Sequence, residues 1–191
     1  MTATAKVETL TIEESLKAAE GVGILPQLAE LNIFRTLLRH PKLAKVISEL
    51  LMMLLSDGNK LDARLRELLI MRIGWVTSCD YEWTQHWPIA KMFGLEEEEL
   101  LAVRDWHNAD CFDAADKAVL AATDDTLQHG RILDQTWDQC MEALEQPEVL
   151  LELCVAIGAW RLISQLARST GVELEEGVES WPPDGQFLAQ S

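Results

Sequence analysis

The sequence predicts an all-α protein. Apolar residues recur at intervals of three and four along almost the whole chain, and no stretch alternates apolar and polar residues as a β-strand does. Capping residues and prolines also divide the chain into segments of helical length. We therefore expect a single helical domain, a bundle of about eight helices.

Prolines and an aspartate mark the helix starts in the first half of the chain. A proline opens one helical segment over 26–39, and Pro41 stands in the first turn of the next. The stretch "SDGN" at 56–59 is a predicted loop. A helix over 62–78 has an aspartate placed to cap it, and a second helix follows at once and ends near Gly94.

The second half continues the pattern. Four glutamates at 96–99 suit the first turn of a helix, where negative charge favours the helix dipole. Three further helices are predicted from their capping residues: Asp113 to Gln128 or His129, Asp134 or Gln135 to Leu144, and Pro147 to near Gly171.

The helical pattern defines the expected domain organisation. Residues 1–24 form an N-terminal arm, residues 25–172 the helical domain, and residues 173–191 a C-terminal tail. The tail contains "WPPDG" and is interpreted as a loose end or an arm that binds a partner. No internal repeat indicates a solenoid.

The charge of the chain excludes some partners. Its formal net charge is −16, from 16 basic and 32 acidic residues. Nucleic acids and anionic membranes need clustered lysine and arginine, so neither is expected as a partner. An anionic small molecule would need a local basic pocket.

The cysteines and the N-terminus indicate a reducing, intracellular setting. The four cysteines show neither a CxxC pair nor the spacing of a disulfide scaffold or a zinc site. The N-terminus lacks the apolar core of a signal peptide, and no run approaches the length of a membrane span. We therefore expect a cytoplasmic protein.

One stretch, "SCDYEWTQH" at 78–86, has candidate functional residues. Cys79, Glu82 and His86 stand at i, i+3 and i+7, which places a thiol, a carboxylate and an imidazole on one helix face. Burial among aromatic residues would raise the pKa of Glu82. The aromatic residues expected to line a pocket with them are Tyr81, Trp83 and Trp87.

A fourth candidate lies on the preceding helix. Glu67 is an acid on a helix that is otherwise apolar over most of its circumference, so it should have a partner. If the chain reverses near residue 78, Glu67 and His86 lie at depths that differ by about one helical turn. A crossing angle and the long glutamate side chain can close that difference.

Each candidate also has a structural explanation. Glu67 could be a surface acid, or it could form a salt bridge with Arg64 or Arg72. His86 could be a core or interface histidine, and Cys79 a small buried apolar residue.

Together, however, the four residues suit general acid–base chemistry. A glutamate that binds one imidazole nitrogen leaves the other nitrogen able to move protons. The remaining histidines show no ligand-like spacing, so no metal is expected, and neither a phosphate-binding loop nor a G-x-S-x-G elbow is present. We expect no cofactor. A substrate carboxylate could meet Arg66 or Arg72.

The segment "LRHPKLAKVISELLMMLLSDGNKLDARLRELLIMRIGWVTSCDYEWTQHWPIAKMFGLEEEEL" resembles the carboxymuconolactone decarboxylase and alkylhydroperoxidase D-like (AhpD-like) superfamily. The resemblance continues through "WDQCMEALEQPEVLLELCVAIGAWRLISQLARSTGV" and covers roughly residues 25–172. It implies an all-helical AhpD-like bundle that assembles into dimers, trimers or hexamers. It also implies an active site near a subunit interface.

The alkylhydroperoxidase branch of the superfamily has the signature Glu-x11-Cys-x2-Cys-x3-His. Glu67, Cys79 and His86 match its spacing, and Glu82 stands where the attacking cysteine belongs. The resemblance therefore does not transfer two-cysteine peroxidase chemistry. In the decarboxylase branch a glutamate precedes the corresponding histidine by four residues, as Glu82 precedes His86.

Three functional hypotheses follow. The first is a cofactor-free acid–base enzyme, a decarboxylase, lyase or isomerase acting on a small carboxylated or lactone-like molecule. In it His86 moves the proton, Glu67 orients it, and Glu82 is a second acid or base. The second is a peroxidase or thiol redox protein that uses Cys79. The third is a non-catalytic oligomer that binds a ligand or a partner helix.

Overall fold

The computed structural model describes residues 5–56 and 58–180. Over these residues the chain forms ten α-helices, one 3₁₀-helix and no β-strand, which confirms the all-α prediction. By contacts the described residues form two compact units, one containing residues to Ser56 and Gln165–Glu179, the other Gly58 to Ser164 with Ser180.

The first unit contains four complete helices and the end of a long one. These are α1 (Ile12–Glu20), α2 (Pro26–Ala29), α3 (Asn32–Leu37), α4 (Pro41–Leu55) and the last turns of α10 (Pro147–Thr170). The second unit contains the remaining helices. They are α5 (Ala63–Val76), α6 (Asp80–Met92), α7 (Glu97–Ala102), the 3₁₀-helix (Val103–Asn108), α8 (Ala114–His129), α9 (Asp134–Leu144) and most of α10.

Most predicted helix ends are found at the predicted residues. The Asp62 side chain accepts hydrogen bonds from the first turn of α5, and Asp113 forms a capping box with Asp116 at the start of α8. Gly94 and Gly130 have positive φ angles where α6 and α8 end. Local capping chemistry therefore determines these boundaries.

Two predictions about the helices are wrong. The count of eight is too low, and the segment over 26–39 is two helices, α2 and α3, separated at Glu30 and Leu31. The backbone N–H of Asn32 donates to the carboxylate of Glu175 at 2.8 Å. This long-range bond replaces the one a continuous helix would make, and no local pattern reveals it.

Both predicted terminal segments contain ordered residues. The arm includes α1, which has a capping box between Thr11 and Glu14. The start of the tail binds α3, because the Asn32 amide donates to the carbonyl oxygens of Glu173 and Leu174. The "WPPDG" motif lies outside the described residues, and the boundaries at 24/25 and 172/173 stay predictions.

One helix in the described part of the chain, α10, is long and apolar enough to cross a bilayer by length and composition. This helix is an exception to the expectation that no apolar run approaches the length of a membrane span. Half of its most apolar window is buried inside the protein, which is also the pattern of a core helix.

A tight reversal joins α5 to α6. Ser78 has a φ of 54°, and the N–H of Cys79 donates to the carbonyl oxygen of Gly74 at 2.8 Å. The N–H of Ser78 donates to Trp75 at 3.0 Å, so the two bonds form a Schellman motif with serine at the left-handed position. The chain reverses within three residues, and Cys79 becomes the N-cap of α6.

Gly74 lets these two helices approach closely. A Cβ atom at this position would lie 3.2 Å from the backbone nitrogen of Trp83 and 3.4 Å from its Cα. The contact is backbone against backbone and cannot be relieved by a side-chain rotation. It lies in the apolar core of the second unit, whose members include Leu68, Met71 and Trp87.

We predict that Gly74→Ala lowers the free energy of unfolding by about 1–3 kcal/mol, because the new methyl group pushes α6 away from α5. Gly158, inside α10, is the matched control, since a Cβ there meets no atom within 4 Å. Gly158→Ala should be neutral or stabilise by up to about 1 kcal/mol through helix propensity. Urea unfolding of both variants checks the prediction. Equal changes in the free energy of unfolding for the two substitutions would contradict it.

Candidate functional site

Glu67 and His86 form a buried pair across the α5–α6 crossing. The Oε2 atom of Glu67 lies 2.7 Å from Nδ1 of His86. Glu67 is 0% exposed, and the side chain of His86 is 14% exposed. The contact expected from the chain reversal is therefore present, while the catalytic roles of both residues stay predictions.

Arg66 supplies the positive charge beside this pair. Its Nε lies 3.4 Å from Oε1 of Glu67, and its guanidinium stands 5.3 Å from the ring centre of Phe93. Arg64, an alternative partner considered for Glu67, instead binds Asp116 at 2.6 Å and also pairs with Glu99.

The other imidazole nitrogen also has a partner. Nε1 of Trp160, on α10, lies 3.3 Å from Nε2 of His86, and the two rings meet edge to face. An indole N–H can only donate, so Nε2 accepts, and the proton of a neutral His86 is on Nδ1, pointing to Glu67. Sequence analysis missed Trp160, which is 74 residues from His86 and shares no motif with it.

Glu82 is the second buried acid of the site. It is 4% exposed, and its Oε2 atom has no hydrogen-bond partner among the described residues. Burial raises the pKa of Glu82 to about 7; nearby His86 opposes this shift and Glu67 adds to it. Near neutral pH this carboxyl group therefore exists in both protonation states.

The pKa of His86 is displaced by opposing effects. Burial lowers the pKa, but the charge of Glu67 and its hydrogen bond to Nδ1 raise it, and the charge of Glu82 adds to them. Arg66 opposes the rise. The net effect is a pKa above the ordinary value, so Glu67 attracts a second proton to His86.

Cys79 caps α6 one turn before Glu82 and is buried. None of the four cysteines forms a disulfide in the structure. Burial raises the pKa of Cys140 to about 11, and it also raises the pKa values of Cys111 and Cys154. These three thiols are therefore poor nucleophiles at neutral pH.

The aromatic residues predicted to line a pocket are core residues in this structure. Tyr81, Trp83 and Trp87 are buried, and Trp83 stacks at a tilt on Trp87 with ring centres 5.7 Å apart. An open hollow of about 470 Å³ lies elsewhere, between α8 and α9. Its lining does not include Glu67 or His86. A pocket lined by the three aromatic residues stays a prediction.

Arg72, the other predicted substrate contact, is bound within the protein. Its guanidinium makes two hydrogen bonds to Asp124, at 2.7 and 2.9 Å, and donates to the carbonyl oxygens of Val103 and Arg104. Asp124 also accepts from the indole of Trp106. These hydrogen bonds connect α5, α8 and the 3₁₀-helix. The guanidinium of Arg72 is therefore engaged there and does not contact the Glu67–His86 pair.

Within residues 5–56 and 58–180, no group of three or more histidine, cysteine, aspartate or glutamate side chains is arranged to hold a metal ion.

Part of the chain matches a known protein family. Residues 41–125 match the model of the carboxymuconolactone decarboxylase family. This match and the shared all-helical fold support the carboxymuconolactone decarboxylase and AhpD-like superfamily. No curated protein sequence matches the chain significantly.

Three solved structures share the fold. An alkylhydroperoxidase AhpD core, an uncharacterized peroxidase-related protein from Ralstonia eutropha JMP134, has a TM-score of 0.72 at 15% identity, covering 92% of this chain and 95% of that one. The debrominase Bmp8 has a TM-score of 0.70 at 17% identity, covering 89% and 92%. A putative antioxidant defence protein AhpD from Agrobacterium tumefaciens has a TM-score of 0.66 at 19% identity, covering 71% and 92%.

We predict that Glu82→Gln flattens the pH dependence of stability. Between the ordinary pKa of 4.5 and the folded value of about 7, the folded chain binds the Glu82 proton more tightly than the unfolded chain. Stability contributed by the neutral carboxyl group is therefore lost as pH rises through this window, by about 3 kcal/mol in total.

Urea unfolding of the wild type and Glu82→Gln at pH values from 4 to 8 measures this effect. The free energy of unfolding of the variant should increase relative to that of the wild type as pH rises. Glu142→Gln, at an exposed position, is the control and should follow the wild type. Parallel stability curves for Glu82→Gln and the wild type would show that Glu82 ionises normally.

Proposed function

We propose that this chain is a cofactor-free acid–base enzyme, a decarboxylase, lyase or isomerase that acts on a small carboxylated or lactone-like molecule. The observation that carries the proposal is the Oε2 atom of Glu82. It is buried, finds no partner in the described part of the chain, and belongs to a carboxyl group with a pKa of about 7 beside the Glu67–His86 pair. A general acid–base is most effective when its pKa lies near the working pH.

The geometry refines the expected roles. Both nitrogens of His86 are bonded within the protein, so the group that faces the substrate in this proposal is Glu82 rather than His86. Glu82, protonated when the substrate binds, donates its proton to one substrate carbon or oxygen atom and takes a proton back from another. His86 and Glu67 adjust the charge around it as the proton leaves and returns.

The proposed substrate class follows from the charges. A substrate carboxylate is repelled by a chain with a net charge of −16, so its binding needs a neutral Glu82 and a nearby cation. The buried guanidinium of Arg66, beside Glu67, supplies positive charge in this region. The match of residues 41–125 to a family named for a carboxylated lactone supports the same class.

The proposal includes a cytoplasmic homo-oligomer, as the resemblance implies. The surface of α10 opposite Trp160 supports the assembly, since Leu151, Val155 and Leu162 are large apolar side chains exposed on one helix. A cytoplasmic location accords with four cysteines that lack the spacing of a disulfide scaffold.

Peroxidase activity through Cys79 is the second candidate. Cys79 stands at the N-terminus of α6, where a helix dipole favours a thiolate, and the AhpD core shares the fold. Against it, Glu82 occupies the position of the second cysteine, and Cys79 is buried. Turnover would need a thiol from another molecule to resolve the oxidised cysteine.

The test measures two reactions with the same set of variants. Small carboxylated lactones, beginning with γ-carboxymuconolactone, are assayed for CO₂ release and isomerisation, and hydrogen peroxide is assayed with dithiothreitol as reductant. We expect Glu82→Gln and His86→Asn to lower turnover of a lactone by about 10²–10⁴. Cys79→Ser and the surface control Glu142→Gln should retain it.

The opposite patterns are equally informative. Lactone turnover that survives Glu82→Gln would contradict the acid–base roles. Peroxide consumption that disappears in Cys79→Ser, without any lactone turnover, would favour the peroxidase. Folded protein that is inactive in both assays would favour the non-catalytic hypothesis. The hydrogen bonds that both nitrogens of His86 make within the protein also agree with that hypothesis.

A further inference from the structure

We propose that Trp160 is a positioning residue that favours the neutral form of His86, with its proton on Nδ1, by donating its indole N–H to Nε2. The contact joins α10 to α6 and lies in the second unit. In this role Trp160 controls when His86 can take a second proton.

The chemistry of the two rings gives the contact its direction. Indole has one polar hydrogen and no acceptor, so the 3.3 Å contact between Nε1 of Trp160 and Nε2 of His86 requires a lone pair on Nε2. The rings are nearly perpendicular, at 82°, with centres 6.1 Å apart, so the edge of one faces the other. Doubly protonated His86 would place two N–H groups against each other and break this bond.

The ionisable groups around His86 act on the same equilibrium. Glu67 and Arg66 face it from α5, and Glu82 from its own helix, while α10 contributes the uncharged Trp160. Glu67 and Glu82 favour the imidazolium, and Arg66 opposes it. Trp160 opposes it as well, through a hydrogen bond that exists only when Nε2 carries no proton.

Trp160 is held firmly enough to act in this way. It is 2% exposed, and the same face of α10 buries Ala156, Ile157 and Ile163. One turn further along, the hydroxyl of Ser164 lies 2.6 Å from that of Thr77, at the end of α5. Swinging the indole away from His86 would therefore require a space that the packed helix does not offer.

The catalytic consequence rests on the proposed function. A neutral His86 gives no positive charge to a Glu82 carboxylate, so Trp160 helps to keep Glu82 protonated and ready to donate. Without the indole N–H, His86 would take a proton more easily. The resulting imidazolium would stabilise the Glu82 carboxylate and shift any pH–rate profile of the enzyme toward acid.

Trp160→Phe tests the proposal, because it keeps an aromatic ring but removes the indole N–H together with the second ring. Trp83→Phe is the matched control for the titration, since Trp83 is also buried and its N–H has no partner among the described residues. Nitrogen NMR of ¹⁵N-labelled protein follows the state of His86, and His86→Gln assigns its signals among the four histidines.

We expect the wild type above its His86 titration to show a protonated Nδ1 and an unprotonated Nε2. Trp160→Phe should raise the pKa of His86 by about half to one unit relative to both the wild type and Trp83→Phe. A proton on Nε2 of neutral His86 in the wild type would overturn the proposal. Equal pKa values of His86 in Trp160→Phe and Trp83→Phe would overturn it too. The wild-type spectrum can overturn the proposal even if Trp160→Phe fails to fold.

Failure of this proposal is distinct from failure of the proposed function. The NMR titration needs no substrate, so it reports on Trp160 even if no lactone is turned over. If lactone turnover is found, the pH–rate profile of Trp160→Phe should shift toward acid, and an unchanged profile with a shifted His86 pKa would remove only the catalytic consequence.

Discussion

The hydrogen bond between Glu67 and His86 holds a carboxylate in the interior of the second unit, and the arrangement of the site depends on it. A buried carboxylate is costly unless it is paired and hydrogen-bonded, and Glu67 has both an imidazole and the Arg66 guanidinium beside it. The bond requires α5 and α6 to cross closely, which Gly74 allows because it has no side chain at the crossing.

Three helices together decide the protonation of this site. Glu67 on α5 attracts a proton toward His86, and Trp160 on α10 occupies the nitrogen where that proton would go. Burial raises the pKa of Glu82 on α6 to about 7. The charges of Glu67, Glu82 and His86 interact, so the protonation of each group is coupled to that of the others. A substrate that contacts any one of the groups would shift the protonation of the others.

The departure from the alkylhydroperoxidase signature has a physical meaning in this setting. With Glu82 in the place of the second cysteine, the buried position carries a titrating oxygen acid instead of a thiol, and Cys79 lacks a cysteine partner at that spacing. The AhpD-like fold is retained while the side chain at this position differs. Sites on a common fold can differ in chemistry in this way, so the fold alone does not define the reaction.

The sequence alone determined the helical class, most helix ends and the four residues of the motif, because these depend on local periodicity, caps and spacing. Gly94, Asp113 and Pro147 act on their own neighbours, so their effect can be read from the chain. The contact of Glu67 with His86 was also foreseeable, since a reversal near residue 78 brings adjacent helices together.

Only the tertiary structure decided which partners the polar groups take. Asn32 binds Glu175 and thereby divides a predicted helix, Arg72 binds Asp124 instead of facing the site, and Trp160 reaches His86 from a helix far along the chain. Each of these contacts joins residues at least 52 positions apart. Local patterns carry no information about such pairs, because the free energy that selects them comes from the packing of whole helices.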